Sequence, residues 1–187
     1  MTALIEAAKA PDYPAEIIGV LSNKPDAAGL ATAGAEGIAT AVRSHRDYAS
    51  REEFDAALHA VLTGWNAEYV CLAGFMRILT PEFTGQWLGR MINIHPSLLP
   101  DFRGLHTHDR ALEAGVLEHG CTVHFVTPGL DEGPTLAQSR IPVLPGDTAD
   151  SLQARVLVEE HRLYPLALAE LASGRARLVG DEVVRGR

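Results

Sequence analysis

Short apolar runs alternate with amphipathic segments along the chain. Residues 16–21, 69–73 and 90–94 are brief, nearly continuous apolar stretches bounded by turn residues, which is typical of strands buried on both faces. Between them the periodicity becomes helical, and Ser50 with Glu53 forms a capping-box signature ahead of one such helix. The pattern therefore predicts strands and helices in alternation.

The second half of the chain continues this order. Residues 121–126 are strand-like, and the polar–apolar alternation over 136–143 predicts an edge or antiparallel strand. A long helix is predicted from about 148 to 172, and a terminal hairpin follows it. We expect one α/β domain covering residues 1–187, with a doubly wound, mostly parallel sheet and ligands at the carboxyl ends of its strands.

Composition narrows the possible classes of protein. A formal charge of −8 over 187 residues disfavours a nucleic-acid-binding face, and the apolar runs are too short to cross a bilayer. Cys71 and Cys121 are fifty residues apart in apolar contexts, as expected of reduced, buried thiols. We expect a cytoplasmic protein without nucleic-acid or membrane partners, acting on small molecules as a monomer or homodimer.

The most informative segment is Asn93-Ile94-His95-Pro96, followed by Ser-Leu-Leu-Pro. Residues two apart on a strand share a face, so Asn93 and His95 should project together. Pro96 has no amide hydrogen and forces the chain out of the sheet at that point. An amide beside a titratable imidazole at a strand end suits oxyanion stabilisation and proton transfer, so the segment predicts an enzyme.

Several motifs in order resemble one known family. Asn-x-His-Pro-Ser-Leu-Leu-Pro followed by Gly-Leu-His-Thr-His resembles glycinamide ribonucleotide formyltransferase, and the likeness continues through Leu-Ala-Gly-Phe-Met-Arg-Ile-Leu, Leu-Asp-Glu-Gly-Pro and Glu-Glu-His-Arg-Leu-Tyr-Pro. The resemblance covers almost the whole chain. It implies a Rossmann-like formyltransferase fold and transfer of a formyl group from the cosubstrate 10-formyltetrahydrofolate to glycinamide ribonucleotide in purine biosynthesis.

The same resemblance assigns site residues. It makes His95 and Asn93 catalytic, and it makes Asp131 the carboxylate partner of His95. Asp131 lies in a glycine-flanked loop, where an Asp is otherwise usually a turn former. A neighbouring carboxylate favours the charged imidazolium, which suits a proton donor. Residues implied at the folate are Arg51, Met76, Arg77, Ile78, Leu79, Asn93, Thr127, Pro128, Gly129, Leu130 and Asp131. Residues implied at the ribonucleotide are Leu157, Val158, Glu159 and Glu160.

His106 and His108 form a His-x-His pair that could suggest a metal, with His119 and His124 close in sequence. No carboxylate or Cys spacing completes a zinc set, and the resembling family needs no metal. We therefore expect no metal, and we expect His106 and His108 to order the loop beyond the active strand.

The start of the chain departs from the resembling family. Family members place a strand and a Gly-x-Gly-Ser-Asn phosphate loop before the first helix, whereas Met1 here leads directly into that helix. The expectation is an amino-terminally truncated domain whose first strand and phosphate-binding loop are missing.

Alternative functions stay open at this stage. Methionyl-tRNA formyltransferase shares the Asn-x-His-Pro core but carries an RNA-facing carboxyl-terminal domain, and formyltetrahydrofolate hydrolase carries an amino-terminal regulatory domain. The alternative that is not an active enzyme is a catalytically impaired, folate-binding remnant. Turnover of glycinamide ribonucleotide would separate the enzyme from the remnant.

Overall fold

A computed structural model describes residues 1–186 and confirms the alternation of helices and strands. The helices are α1 Thr2–Ala7, α2 Ala28–Ala35, α3 Arg51–Gly64, α4 Pro81–Gln86, α5 Thr107–Glu113 and α6 Ala149–Ala172, with a single 3-10 turn at His45–Asp47. The strands are β1 Gly19–Ser22, β2 Ala39–Val42, β3 Val70–Leu72, β4 Met91–His95, β5 Glu118–Phe125, β6 Thr135–Pro142, β7 Ala176–Val179 and β8 Glu182–Arg185.

Side-chain caps mark the start of three of the helices, α3, α4 and α6. The hydroxyl of Ser50 accepts a hydrogen bond from the amide of Glu53 at the start of α3, as its capping-box signature predicts. Thr80 caps α4 in the same way, with Pro81 in the first turn where its missing amide hydrogen costs nothing. Thr148 and Ser151 satisfy each other's backbone amides at the start of α6.

The main sheet has the order β3-β4-β5-β6. Strands β3 and β4 run parallel, whereas β5 and β6 continue the sheet antiparallel. This confirms the edge or antiparallel strand predicted over 136–143. β1 and β2 form a separate parallel pair, and β7 with β8 forms the predicted terminal hairpin. The α/β fold class is confirmed.

Helices cover both faces of the main sheet, as a doubly wound fold requires. On one face, Ile92, Val123 and Phe125 pack against α6 and α1. On the other face, Met91 packs against residues of α3 and α4, including Phe54 and Phe83. Because β4 and β5 are enclosed on both faces, whatever projects from the end of β4 is held by a rigid base.

β1 and β3 differ from their predictions. All four residues of β1 and all three of β3 are only half-buried, although their apolar runs predicted burial on both faces. A cavity of about 770 Å³ lies beside these strands, lined by residues of β1, β3, α1 and the segment after β3. β1 hydrogen-bonds only with β2 among the described strands, so its other edge faces this cavity. Burial of a strand depends on its neighbours, which its own sequence does not specify.

Candidate active site

The end of β4 brings the predicted Asn93 and His95 to one face of the sheet. In the antiparallel register, Asn93 lies opposite His124 and His95 lies opposite Thr122. Side chains directly opposite each other in such a pair are close neighbours on the same face. The Thr122 hydroxyl donates to the carbonyl of Ser97 over 2.7 Å and accepts from the amide of Leu99. β5 therefore holds the chain that leaves β4 as well as facing the two site residues.

His95 is 6% exposed, and both of its ring nitrogens face acceptors. Nδ1 lies 3.4 Å from the Oδ2 of Asp131, and Nε2 lies 3.1 Å from the backbone carbonyl of Phe102. A ring with two acceptors satisfies both only when both nitrogens carry protons. The site thus offers one acceptor to each nitrogen of the His95 ring.

Asp131 reaches His95 because its loop packs closely against the end of β5. A Cβ added at Gly133 would lie 1.8 Å from the carbonyl oxygen of Phe125, so only glycine fits there. Asp131 itself has φ 51°, a left-handed conformation that Asp tolerates better than most residues. Its Oδ2 also accepts a 2.9 Å hydrogen bond from the amide of Gly104. The structure therefore brings together all three predicted catalytic residues.

The backbone around this cluster is strained. Of the four non-glycine residues with positive φ within residues 1–186, three lie in the two loops beside His95, namely Phe102, His106 and Asp131. Such conformations persist only where the surroundings enforce them, and they concentrate at functional sites. Here an ion pair between Arg103 and Glu132, at 2.7 Å, joins the two loops in addition to the bond from Gly104.

His124 belongs to the site, although the sequence assigned it no role there. Its Nε2 lies 3.2 Å from the Nδ2 of Asn93, and its Nδ1 lies 2.9 Å from the carbonyl of Phe125. Burial lowers the pKa of His124, which keeps its ring neutral. The feature that reveals it is the strand register, which places His124 opposite Asn93. That register pairs residues 31 positions apart, so local periodicity in the sequence does not predict it.

The segments predicted to contact folate gather around one hydrophobic cluster. Phe75 and Leu79 from the first segment pack with Val126, which precedes the second, and Arg51 begins the helix whose Phe54 joins them. Exposed apolar side chains project from these segments, with Met76 at 74%, Ile78 at 62% and Leu130 at 57% exposure. Exposed apolar groups beside a buried polar site are what a flat, partly apolar ligand would cover.

Leu79 differs from the rest of its segment. It is buried within the cluster around Phe54 and Met91, so its side chain is part of the core as well as part of the wall of the 770 Å³ cavity beside β1. Phe75, Met76 and Arg77 line the same cavity. None of the three catalytic candidates lines that cavity, so it does not mark the position of the chemistry.

The four residues predicted at the ribonucleotide are consecutive on α6 and therefore face different directions, since each helical step turns about 100°. Leu157 and Val158 are exposed. Glu159 contacts Ser139 and Arg162, and these bonds lower its pKa. Burial raises the pKa of Glu160. Their role at a ligand stays a prediction.

The two histidines of the His-x-His pair face opposite ways. His106 is exposed, whereas the Nδ1 of His108 lies 3.2 Å from the Nε2 of fully buried His119. Burial lowers the pKa of His119 to about 4. Within residues 1–186, no group of three His, Cys, Asp or Glu side chains is arranged to hold a metal ion. In the same range no helix is long and apolar enough to cross a membrane.

Comparison with known proteins establishes the family of this chain. The formyl transferase family model matches residues 1–168, and the chain belongs to that family. It is 46% identical to the phosphoribosylglycinamide formyltransferase of Escherichia coli over 178 residues, which is 95% of this chain and 84% of that protein. It is also 49% identical to the trifunctional purine biosynthetic protein adenosine-3 of Drosophila pseudoobscura pseudoobscura, of which it spans 13%.

Solved structures extend the likeness to three dimensions. The glycinamide ribonucleotide transformylase 1 of Symbiobacterium toebii superposes with a TM-score of 0.95 at 42% identity, covering 99% of this chain and 87% of that one. The phosphoribosylglycinamide formyltransferase of Brucella melitensis gives a TM-score of 0.88 at 55% identity, covering 96% and 91%. The Rossmann-like formyltransferase fold implied by the sequence motifs is confirmed.

Proposed function

We propose that this chain transfers the formyl group of 10-formyltetrahydrofolate to the amine of glycinamide ribonucleotide, a step of purine biosynthesis. The observation that carries the proposal is the grouping of Asn93, His95 and Asp131 at the end of β4, in a member of the formyl transferase family. An amide, an imidazole and a carboxylate supply a hydrogen-bond donor, an acid and a base, which together are what acyl transfer to an amine requires.

In the proposed reaction the amine nitrogen attacks the formyl carbon, and the carbonyl electron pair moves onto oxygen. The N–H of Asn93 and protonated His95 stabilise that oxyanion. Asp131 keeps His95 charged and accepts the proton lost by the amine, directly or through water. Collapse of the intermediate breaks the bond between the formyl carbon and the folate nitrogen, which takes up a proton. No covalent bond to the enzyme forms.

Folate binding is assigned to the exposed apolar segments around the site. Met76, Ile78 and Leu130 offer apolar surface for the flat pterin, and Arg77 offers a guanidinium for planar hydrogen bonding. Leu79, Thr127, Pro128 and Gly129 are assigned to the same ligand, as is Arg51 at the start of α3. Glycinamide ribonucleotide is assigned to the α6 stretch Leu157, Val158, Glu159 and Glu160. We further propose a cytoplasmic protein that is a monomer or homodimer, without metal, membrane or nucleic-acid partners.

The proposal is tested by mixing the purified chain with 10-formyltetrahydrofolate, with and without glycinamide ribonucleotide. We expect release of tetrahydrofolate that depends on the ribonucleotide and matches the formylated product one for one. Release of formate without ribonucleotide would identify a hydrolase instead. Folate binding in calorimetry with no turnover would identify a catalytically impaired remnant. Formylation of charged initiator tRNA would identify a methionyl-tRNA formyltransferase.

A further inference from the structure

The amide of Asn93 can lie in two orientations that differ by exchange of its oxygen and nitrogen. Only the orientation that offers an N–H to the formyl oxygen stabilises an oxyanion, whereas the other would place a repelling carbonyl there. We propose that His124 is a positioning residue that selects the productive orientation by accepting one N–H of Asn93. The inference rests on the proposed function, because it concerns the group that binds the oxyanion.

The tautomer of His124 follows from its backbone neighbour. The carbonyl of Phe125 lies 2.9 Å from Nδ1 and can only accept, so Nδ1 carries the proton. In a neutral ring Nε2 then holds a lone pair. That nitrogen lies 3.2 Å from the amide nitrogen of Asn93, so Asn93 is the donor. A primary amide has two N–H groups, and the second stays available for the formyl oxygen.

The neutral charge of His124 also matters for its neighbours. Its Nε2 lies 3.7 Å from the Oδ1 of Asp131, too far for a hydrogen bond but close enough to attract a charged ring. A protonated His124 would compete with His95 for that carboxylate and would turn from acceptor to donor toward Asn93. Its side chain is 3% exposed, and burial disfavours the charged form. Because His124 stays neutral, the carboxylate of Asp131 remains available to pair with His95.

Two substitutions at His124 distinguish the effect of its hydrogen-bond acceptor from the effect of the size of its ring. His124→Phe keeps an aromatic ring but removes the acceptor, whereas the carbonyl oxygen of His124→Gln can occupy the position of Nε2. We expect His124→Phe to lower kcat by roughly ten- to hundredfold with little change in KM, and His124→Gln to recover much of the loss. Val123→Ala is the matched control, because Val123 faces α6 and should lower stability without lowering kcat.

A double-mutant cycle decides between positioning and general support. If His124 acts through Asn93, then His124→Phe should cost less than about twofold when Asn93 is already Ala, because the orientation it controls no longer exists. A purely structural role would lower kcat equally in both backgrounds. Equal losses in an active enzyme, or an unchanged kcat in the folded single variant, would overturn the inference while leaving the proposed function intact.

A spectroscopic measurement needs no turnover. Nitrogen-15 NMR of the wild-type chain should show His124 with a protonated Nδ1 and an unprotonated Nε2 at neutral pH. A protonated Nε2 would overturn the inference even if the chain proved to have no formyltransferase activity. Failure of the proposed function would instead appear as absent ribonucleotide-dependent turnover in the wild type.

Discussion

Two strands that each belong to a parallel pair, β4 and β1, occupy very different surroundings in this molecule. β4 is joined to β3 on one side and β5 on the other, and its Met91 and Ile92 are fully buried. β1 pairs only with β2 among the described strands, all its residues are half-buried, and β2 begins with two exposed residues. The candidate chemistry lies entirely on the well-packed side.

The difference shows what an active site requires of its scaffold. Catalytic groups must be held within a fraction of an ångström, and that demands neighbours whose own positions are locked by packing. β4 meets this demand through two core clusters, one on each face, and β5 packs into the first of them. β1 borders the 770 Å³ cavity and does not meet it.

The largest expected effect is loss of the imidazole on the packed side. His95→Ala should reduce kcat/KM by roughly two to four orders of magnitude, because the acid and part of the oxyanion stabilisation disappear together. Steady-state kinetics in a variant shown to be folded by circular dichroism measures this. His161→Ala, at an exposed position of α6, is the control and should keep wild-type turnover. Near-normal turnover of folded His95→Ala would remove His95 from the mechanism.

The next effect concerns the carboxylate that pairs with His95. Asp131→Asn should lower kcat by about two orders of magnitude, because the amide neither favours the imidazolium nor accepts the amine proton. Asn tolerates the φ of 51° at this position nearly as well as Asp does, so the loop should keep its shape. Kinetics combined with a thermal melt would test both points. A variant with full kcat would show that the 3.4 Å pairing is not functional.

A matched pair of substitutions tests the packing contrast directly. Val123 in β5 is 0% exposed, whereas Val20 in β1 is half-buried beside the cavity. Val→Ala should lower the free energy of unfolding by about 2–3 kcal/mol at Val123 and by less than about 1 kcal/mol at Val20. Urea unfolding with a common slope measures both. Equal losses would show that β1 is as firmly packed as β5.

The sequence predicted this contrast only in part. Alternation and apolar runs predicted the strands, and a period of two placed Asn93 and His95 on one face, because those properties are local to the chain. The same reasoning was wrong about the burial of β1 and of β3. Burial on both faces depends on which strands and helices lie alongside, and a run of apolar residues does not contain that information.

The residues of the candidate site also differ in how far the sequence predicted them. The motif predicted Asn93 and His95, and the family resemblance predicted Asp131. His124 was not recognised, because its contact with Asn93 depends on the antiparallel register of β4 and β5. That register in turn follows from tertiary packing across 31 residues. Local patterns therefore identify candidate catalytic groups, whereas a group proposed to orient them is found only from the fold.

The smallest expected effect is a pH dependence of stability that comes from the buried histidines of β5. β1 and β2 contain no titratable side chain, whereas β5 holds His119 and His124, whose pKa values burial lowers. For His119 the folded pKa is about 4, below the ordinary value of 6.5. Between these values the unfolded chain binds more protons than the folded chain, so stability rises with pH there. The contribution is complete above pH 6.5 and is lost as pH falls toward about 4.

Replacing the buried ring with a neutral group should reduce this dependence. His119→Gln cannot take up a proton and can still hydrogen-bond with His108, so its unfolding free energy should fall less steeply between pH 7 and pH 5 than that of the wild type. Urea unfolding at several pH values measures the two slopes. His161→Gln, at the exposed site on α6, should leave the wild-type slope unchanged. Parallel curves for wild type and His119→Gln would show that the buried histidine of β5 does not cause the acid sensitivity.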